Sequence, residues 1–382
     1  MKIVWFSHTG NSGGAELSLL EAARGLVSRG VEVHVIVPSR GYLTEKLKDI
    51  GIPVLVAHFR FWTYQRAKKP SFYRRARRLA GHLLAAKYFK GFLRDFGAEL
   101  VVTNTLTIPV GALAAKWVGI PHIWYIREFG EYDHDIAFDY GNRISLFLIN
   151  KLSERVIFNS RSVANRFRNT IALNKCRTVD YAVEVPIISL TPRDHISRFR
   201  VILVGRITTA KRQEDAVRAI AFLARSGFDV HLTLLGTEDP AYGTYVRNLA
   251  REMEVENITE FVPFTVDPFP LVAAADVALM CSKAEAFGRV TVEAMKLGKA
   301  VIGADSGGTS DIIQNGWNGL LYRAGDPEDL AKKLEILYKN RDLLRKLGET
   351  AQEWASQKFN LSSYTSNLIN IFQEVLGTNP DN

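Results

Sequence analysis

The sequence predicts an α/β fold of two Rossmann-like, doubly wound domains facing each other across a cleft. Short β-branched runs alternate with amphipathic helical stretches, which implies parallel sheets covered by helices on both faces. That alternation breaks off near residue 186 and restarts near residue 200. A chain of 382 residues is also too long for one ordinary domain and suits two, each able to bury a core.

The elements follow in order. "KIVWF" reads as a strand, "AELSLLEAARGLVSRG" as a helix closed by Gly30, and "VEVHVIV" as the next strand. "YLTEKLKDIG" is a helix, "PVLVA" a strand, and a long basic helix spans about 71–96. "ELVVTN", "PVGALAAKWVG", "PHIWYI" and "RVIFNS" continue the alternation. The stretch 186–199, "PIISLTPRDHISRF", has neither periodicity and carries prolines, so it reads as a linker. The pattern then repeats from "RVILVGR" and "KRQEDAVRAIAFLARSG" through "DVALMC" and "AVIGAD" to "GLLYRAG". A last amphipathic stretch, "LSSYTSNLINIFQEVLG", closes the chain. The predicted domains are residues 1–190 and 191–360, with 361–382 as a terminal helix.

Composition narrows the class. Apolar residues make up 47% and charged residues 23%, the balance of a soluble globular protein. The apolar run at the start is too short for a signal peptide and fits a buried first strand. No stretch approaches the roughly 18 apolar residues of a membrane span. Cys176 and Cys281 make no disulfide framework, which points to the cytoplasm. Residues 60–94 hold eleven of the 49 Lys and Arg and none of the 40 Asp and Glu. The whole positive excess therefore sits in one segment, which suggests a local anionic partner.

The most informative stretch is 281–313, "CSKAEAFGRVTVEAMKLGKAVIGADSGGTSDII". A loop carrying Glu285 leads into a helix that begins near Gly288 and ends at Gly298. The unpaired N–H groups of residues 288–291 and the helix dipole make an anion site. Glu293 lies about 7.5 Å up the axis from Gly288 at helical rise. Two carboxylates repel a bare phosphate but accept well from sugar hydroxyls. A ligand with hydroxyls on both sides of a diphosphate fits, and that describes a nucleotide sugar. Taken singly, Glu285 reads equally as a helix-entry residue and Glu293 as a solvated helix glutamate. Upstream, Gly205-Arg206 ends a strand and Lys211 opens the next helix, two cations suited to a diphosphate. "HTGNSGGAE" (8–16) is glycine-rich but matches neither a Walker loop nor G-x-G-x-x-G. The second strand ends in Pro38-Ser39 where a dinucleotide fold would place an acid, which weakens an oxidoreductase reading.

Glu285 and Glu293 bracketing Phe287-Gly288, the Gly205-Arg206…Lys211 set, Gly13-Gly14-Ala15-Glu16 and "GGTSDII" together resemble the retaining GT-B glycosyltransferases of the E-x7-E type, group 1 and family 4-like. The resemblance runs in order over most of the chain and is strongest across 200–325. It implies that residues 1–190 form the acceptor side, that 191–360 bind the donor, and that the terminal helix crosses back to the first domain. It implies that Glu285 touches donor sugar hydroxyls with the amides of Phe287 and Gly288, beside Arg289. Arg206 and Lys211 would bind the diphosphate with the amides of Val290 and Thr291, and Glu293 the ribose. Gly13 and Gly14 would face the diphosphate, and Gly236 and Phe264 would contact the base through backbone, which leaves UDP and GDP both open. No cofactor and no metal are implied. Where many members carry a histidine facing the reacting sugar, this chain has Arg127 followed by Glu128. Arginine cannot serve as a base but can stabilise developing charge. His122 reads as structural, and the acidic stretch "EFGEYDHDIAFD" (128–139) as a solvated loop.

In the basic helix, Phe72, Ala76, Leu79, Leu83, Ala86, Phe89, Leu93 and Phe96 form one stripe that reads as core. Arg74, Arg75, Arg77 and Arg78, with Lys68 and Lys69, lie mostly off it. That face suits the inner surface of an anionic membrane or a diphosphate-lipid acceptor, while no nucleic-acid motif accompanies it. The expected activity is transfer of a sugar to a glycan or lipid-linked acceptor. A nucleotide-sugar epimerase and a non-catalytic basic membrane module are the alternatives.

Overall fold

The computed structural model describes residues 1–188 and 198–378, except the side chain of His134. The chain divides into two units, residues 1–182 with 360–382, and residues 183–359. Residues 189–197, most of the stretch read as a linker, lie outside the described residues.

Unit 1 is built on β1 (Lys2–Phe6), β2 (Glu32–Val37), β3 (Val54–Val56), β4 (Thr63–Gln65), β5 (Leu100–Asn104), β6 (His122–Ile126), β7 (Ile136–Phe138), β8 (Arg155–Phe158) and β9 (Cys176–Thr178). Seven of these form one parallel sheet in the order β3-β2-β1-β5-β6-β8-β9. Strands β1, β5 and β6 lie inside it and are almost wholly buried and mainly apolar, as suits strands covered on both faces. The covering helices are α1 (Gly14–Val27), α2 (Tyr42–Asp49), α3 (Phe72–Phe96), α4 (Val110–Val118), α5 (Glu131–His134), α6 (Asn142–Leu152) and α7 (Arg161–Phe167).

Unit 2 repeats the plan. Its strands are β10 (Phe199–Val204), β11 (Val230–Leu235), β12 (Thr259–Val262), β13 (Val277–Met280), β14 (Ala300–Ala304) and β15 (Leu320–Tyr322). They form a six-stranded parallel sheet, β12-β11-β10-β13-β14-β15. Around it lie α8 (Gln213–Arg225), α9 (Pro240–Glu252), α10 (Phe269–Ala274), α11 (Arg289–Lys296), α12 (Gly307–Ile312), α13 (Pro327–Lys339) and α14 (Arg341–Lys358). The last helix, α15 (Leu361–Leu376), belongs to unit 1 and lies on α1. A Cβ on Gly25 would come within 2.0 Å of Thr365 Oγ1, so only glycine admits that approach.

Two expectations are corrected. The stretch 128–139 is not a solvated loop: β7 pairs antiparallel with β4, and the Asp139 carboxylate is buried against Arg78 Nη1 at 3.1 Å. Nor is the whole apolar stripe of α3 core. Ala86, Phe89 and Leu93 are buried, but Phe72, Ala76, Leu79 and Leu83 are exposed. The cause is length. Twenty-five helical residues run about 37 Å, against about 17 Å for a five-residue strand, so the first half of α3 overhangs the sheet. His122, by contrast, is a core residue, bonded to Thr103 Oγ1 at 2.8 Å and Ser153 Oγ at 3.3 Å. Burial pushes its pKa down to about 3 and keeps it neutral. Among the described residues no helix is long and apolar enough to cross a membrane.

Candidate active site

In unit 2 the sequence-predicted residues converge at the carboxyl ends of β10 and β13, where open α/β sheets bind ligands. Gly205 and Gly236 end the neighbouring strands β10 and β11, and a Cβ on Gly236 would lie 2.1 Å from the Gly205 carbonyl. That close approach lets the chain turn into the loop that carries Arg206 and Lys211. A second tie, Lys283 N–H to the Ala210 carbonyl at 2.9 Å, draws this loop to the one after β13. As a result Lys211 Nζ donates to Glu285 Oε2 at 2.6 Å, and Ser282 Oγ donates to the same oxygen at 2.9 Å.

The Glu285 loop is braced from behind. Gly308 N–H donates to the Glu285 carbonyl at 2.6 Å. Cβ atoms on Gly307 and Gly308 would come within 3.0 Å of the backbone of residues 285–287, so "GGTSDII" is a packing requirement of this loop. Gly288, at φ +96°, turns the chain into α11 in a conformation that glycine adopts without penalty. The Phe287 ring is buried edge-on against Phe359, which leaves its backbone for any ligand contact.

Other predicted residues are placed differently. Arg289 Nε holds Glu293 Oε1 at 2.9 Å, one helical turn apart, and both are largely buried. The Thr291 N–H donates to the Gly288 carbonyl at 2.9 Å, so its amide is committed within the first turn. Arg206 is exposed, as is Phe264 beyond β12. Val290 stands in the first turn of α11 beside Arg289.

Unit 1 gathers a second set at the carboxyl end of its own sheet. Gly14 has open space around it, whereas a Cβ on Gly13 would meet Glu16 Oε2 at 2.6 Å. Glu16 Oε1 lies 3.2 Å from His8 Nδ1 and accepts from Ser7 Oγ at 3.5 Å. Arg127 is only 5% exposed. Its guanidinium stands 3.8 Å from the Tyr125 ring centre and 4.8 Å from that of Tyr181, and Nη1 donates to Ser18 Oγ at 2.7 Å. Glu128 is buried too, accepting from Leu106 N–H at 2.5 Å and Arg127 N–H at 2.9 Å. It thereby braces Thr105, whose φ of +71° is strained for a β-branched residue. His8, Glu16 and Ser18 received no role from the sequence. His8 lies in the loop after the first strand, and Glu16 and Ser18 in the opening turns of the helix that follows it.

The two buried carboxyls set a pH dependence. Burial raises Glu16 to about 7, against hydrogen bonds and the charge of Arg127. Burial likewise raises Glu128 to about 8. Both hold protons in the folded chain that the unfolded chain has released above about pH 5, so unfolding releases protons. Stability is therefore highest below the unfolded pKa and falls as pH rises, by about 1.4 kcal/mol per pH unit for each group, up to about 7 for Glu16 and about 8 for Glu128. Urea melts at pH 5.5 and 8 should show this fall, and Glu128→Gln should flatten it. A wild-type melt unchanged between those pH values would contradict the burial.

Comparison with known proteins gives the relatives of this arrangement. A family model described as "Glycosyl transferases group 1" matches residues 196–354, and "Glycosyltransferase Family 4" matches residues 12–183. The chain is 32% identical over 182 residues to N-acetyl-alpha-D-glucosaminyl L-malate synthase of Bacillus anthracis, covering 48% of this chain and 45% of that one. It thus aligns with less than half the length of that relative. The lipopolysaccharide core biosynthesis glycosyltransferase LpsE of Rhizobium meliloti is 25% identical, with 97% and 98% covered. Among solved structures, Anabaena HepE in complex with UDP superposes with a TM-score of 0.81 at 23% identity, covering 98% and 100%. That likeness shows the fold, GT-B, with its two Rossmann-like domains.

Proposed function

The chain belongs to the group 1 glycosyltransferases, and on that premise we propose that it transfers a sugar from a nucleotide-diphosphate sugar to an acceptor, with retention at the anomeric carbon. The observation that carries the proposal is Glu285, held by Lys211 and Ser282 beside the glycine-started helix α11. In this reading Glu285 takes the donor sugar hydroxyls, and Lys211 and Arg206 offset charge on the departing diphosphate without a metal. Glu293, fixed by Arg289, takes the ribose. HepE has been solved with UDP and with UDP-glucose, which favours a uridine donor. The likeness to LpsE favours an acceptor in cell-surface polysaccharide or glycolipid synthesis, a glycan or lipid-linked sugar. We place the reaction in the cytoplasm, at the inner face of a membrane.

The deciding experiment incubates the protein with a panel of UDP- and GDP-sugars and measures nucleoside diphosphate release with and without acceptor glycans. Release that depends on acceptor supports transfer. A new sugar nucleotide formed without acceptor would establish an epimerase instead. Arg206→Ala should weaken binding of the nucleoside diphosphate by about 1.5–3 kcal/mol, the range for a hydrogen bond to a charged group. Chelator should leave turnover unchanged, and its reversible loss would overturn the metal-free mechanism.

A further inference from the structure

The exposed first half of α3 has an outward face that no part of the described chain covers. Phe72 is 86% exposed, Tyr73 75% and Leu84 69%, and Leu79, Leu83 and Tyr88 are exposed with them. At 100° per residue, Phe72, Ala76, Leu79 and Leu83 make one row, and Tyr73, Ala80 and Leu84 lie beside it. The row continues along the helix into the buried Ala86, Phe89 and Leu93, and Tyr73, Ala80 and Leu84 lie on its far flank from them. Adjacent apolar side chains exposed together on one helix mark an interaction surface.

The cations of the segment divide into two sets. Arg78 is bound to the Asp139 carboxylate and the Thr63 carbonyl. Arg75 is bound to the carbonyls of Pro70 and Asp139. These two hold the overhanging helix to the β4–β7 ribbon. Lys68, Lys69, Arg74, Arg77 and Lys87 are exposed around the apolar arc, and no Asp or Glu occurs between residues 60 and 94.

We infer that this face of α3 lies in the surface of an anionic bilayer, with Phe72, Tyr73, Leu83 and Leu84 in the headgroup–acyl boundary and the exposed cations among the lipid phosphates. A bilayer supplies an apolar layer beneath diffuse negative charge, which is what an apolar arc rimmed with cations requires. A second copy packed on the same face would set the five exposed cations against their own kind. The inference rests on the membrane part of the reading above, yet it is tested without donor or acceptor. It can therefore fail while transfer stands, and stand if transfer fails.

The test is flotation of the full chain with vesicles of phosphatidylcholine alone or mixed with phosphatidylglycerol, at low and high salt. Wild type should float with the phosphatidylglycerol vesicles at low salt, remain behind with phosphatidylcholine, and be released as salt screens the charges. Arg74→Ala with Arg77→Ala should lower partitioning about 25-fold, at about fivefold for each cation near the surface. Phe72→Ser with Leu84→Ser should lower it at least about tenfold even at low salt, while Leu173→Ser, exposed outside this face, should change nothing. A fluorophore at Tyr73→Cys should shift to the blue only with anionic vesicles. Equal partitioning to both vesicle types, no flotation at low salt, or full binding by the Phe72/Leu84 double variant would each overturn the inference. A change of oligomeric state in that double variant without lipid would overturn it in favour of a second copy.

Discussion

Glu285→Gln should reduce transfer about a thousandfold while binding of free nucleoside diphosphate stays near the wild-type level. The substitution keeps the shape of the side chain and removes its charge. The Glu285 carboxylate receives Lys211 Nζ at 2.6 Å and Ser282 Oγ at 2.9 Å, and in the proposed mechanism it also receives donor hydroxyls. Each hydrogen bond to a charged group is about 1.5–3 kcal/mol, so losing two of them costs two to four powers of ten in rate. Diphosphate binding escapes because Lys211, no longer held by a carboxylate, remains available to the phosphates. Glu293→Gln should behave differently. Glu293 is tied to Arg289 inside α11, so its loss releases a buried guanidinium and removes the ribose contact together. Nucleotide binding and transfer should then weaken in parallel. The two variants are separated by titrating UDP and by measuring turnover at saturating donor. If both glutamines weaken nucleotide binding equally, the proposed division between sugar and ribose is wrong.

What the sequence reveals of this molecule is local. Five- and six-residue apolar strands such as 2–6 and 122–126 announce themselves because burial on both faces demands continuous β-branched and aromatic runs. The Glu285 loop is legible because strand, glycine and helix follow one another without a gap. The ribbon of β4 and β7 is not, since three residues give too little periodicity to detect and its partners are 75 positions apart at Thr63 and Phe138. Long-range pairs fail for the same reason: Lys211 with Glu285 and Arg78 with Asp139 follow from topology, and no spacing encodes them. The apolar stripe of α3 shows a third limit. Periodicity announces an apolar face but not whether the sheet is deep enough to cover it. Gly13 shows a fourth, for a glycine beside a helix start suggests phosphate, while its Cβ position is filled by the carboxylate of Glu16 from the same helix.

Arg127 is where sequence and structure lead to different expectations, and its substitution should have a large effect on stability. Read from the family's pattern, Arg127 stands where a histidine faces the reacting sugar, and its loss would lower kcat with little change in donor affinity. In the fold it is a buried cation between the rings of Tyr125 and Tyr181, and Ser18 of α1 accepts from it. Tyr364 of α15 reaches the Tyr125 hydroxyl at 3.4 Å and pairs with the Ser18 hydroxyl at 3.3 Å. One guanidinium thus connects the end of β6, helix α1, the segment after β9 and the terminal helix. Arg127→Ala removes a desolvated cation–π contact and leaves a cavity, together on the order of 3–5 kcal/mol. The urea midpoint should fall accordingly, and the loss should appear in far-ultraviolet circular dichroism as weakened docking of α15. Arg127→Lys should recover little of it, because an ammonium cannot stack between two rings as the planar guanidinium does. Turnover per folded molecule then decides between the two expectations. If Arg127→Ala melts like wild type and only kcat falls, the side chain acts at the reacting sugar. If stability falls and the folded fraction retains its turnover, Arg127 is the clamp that holds unit 1 together.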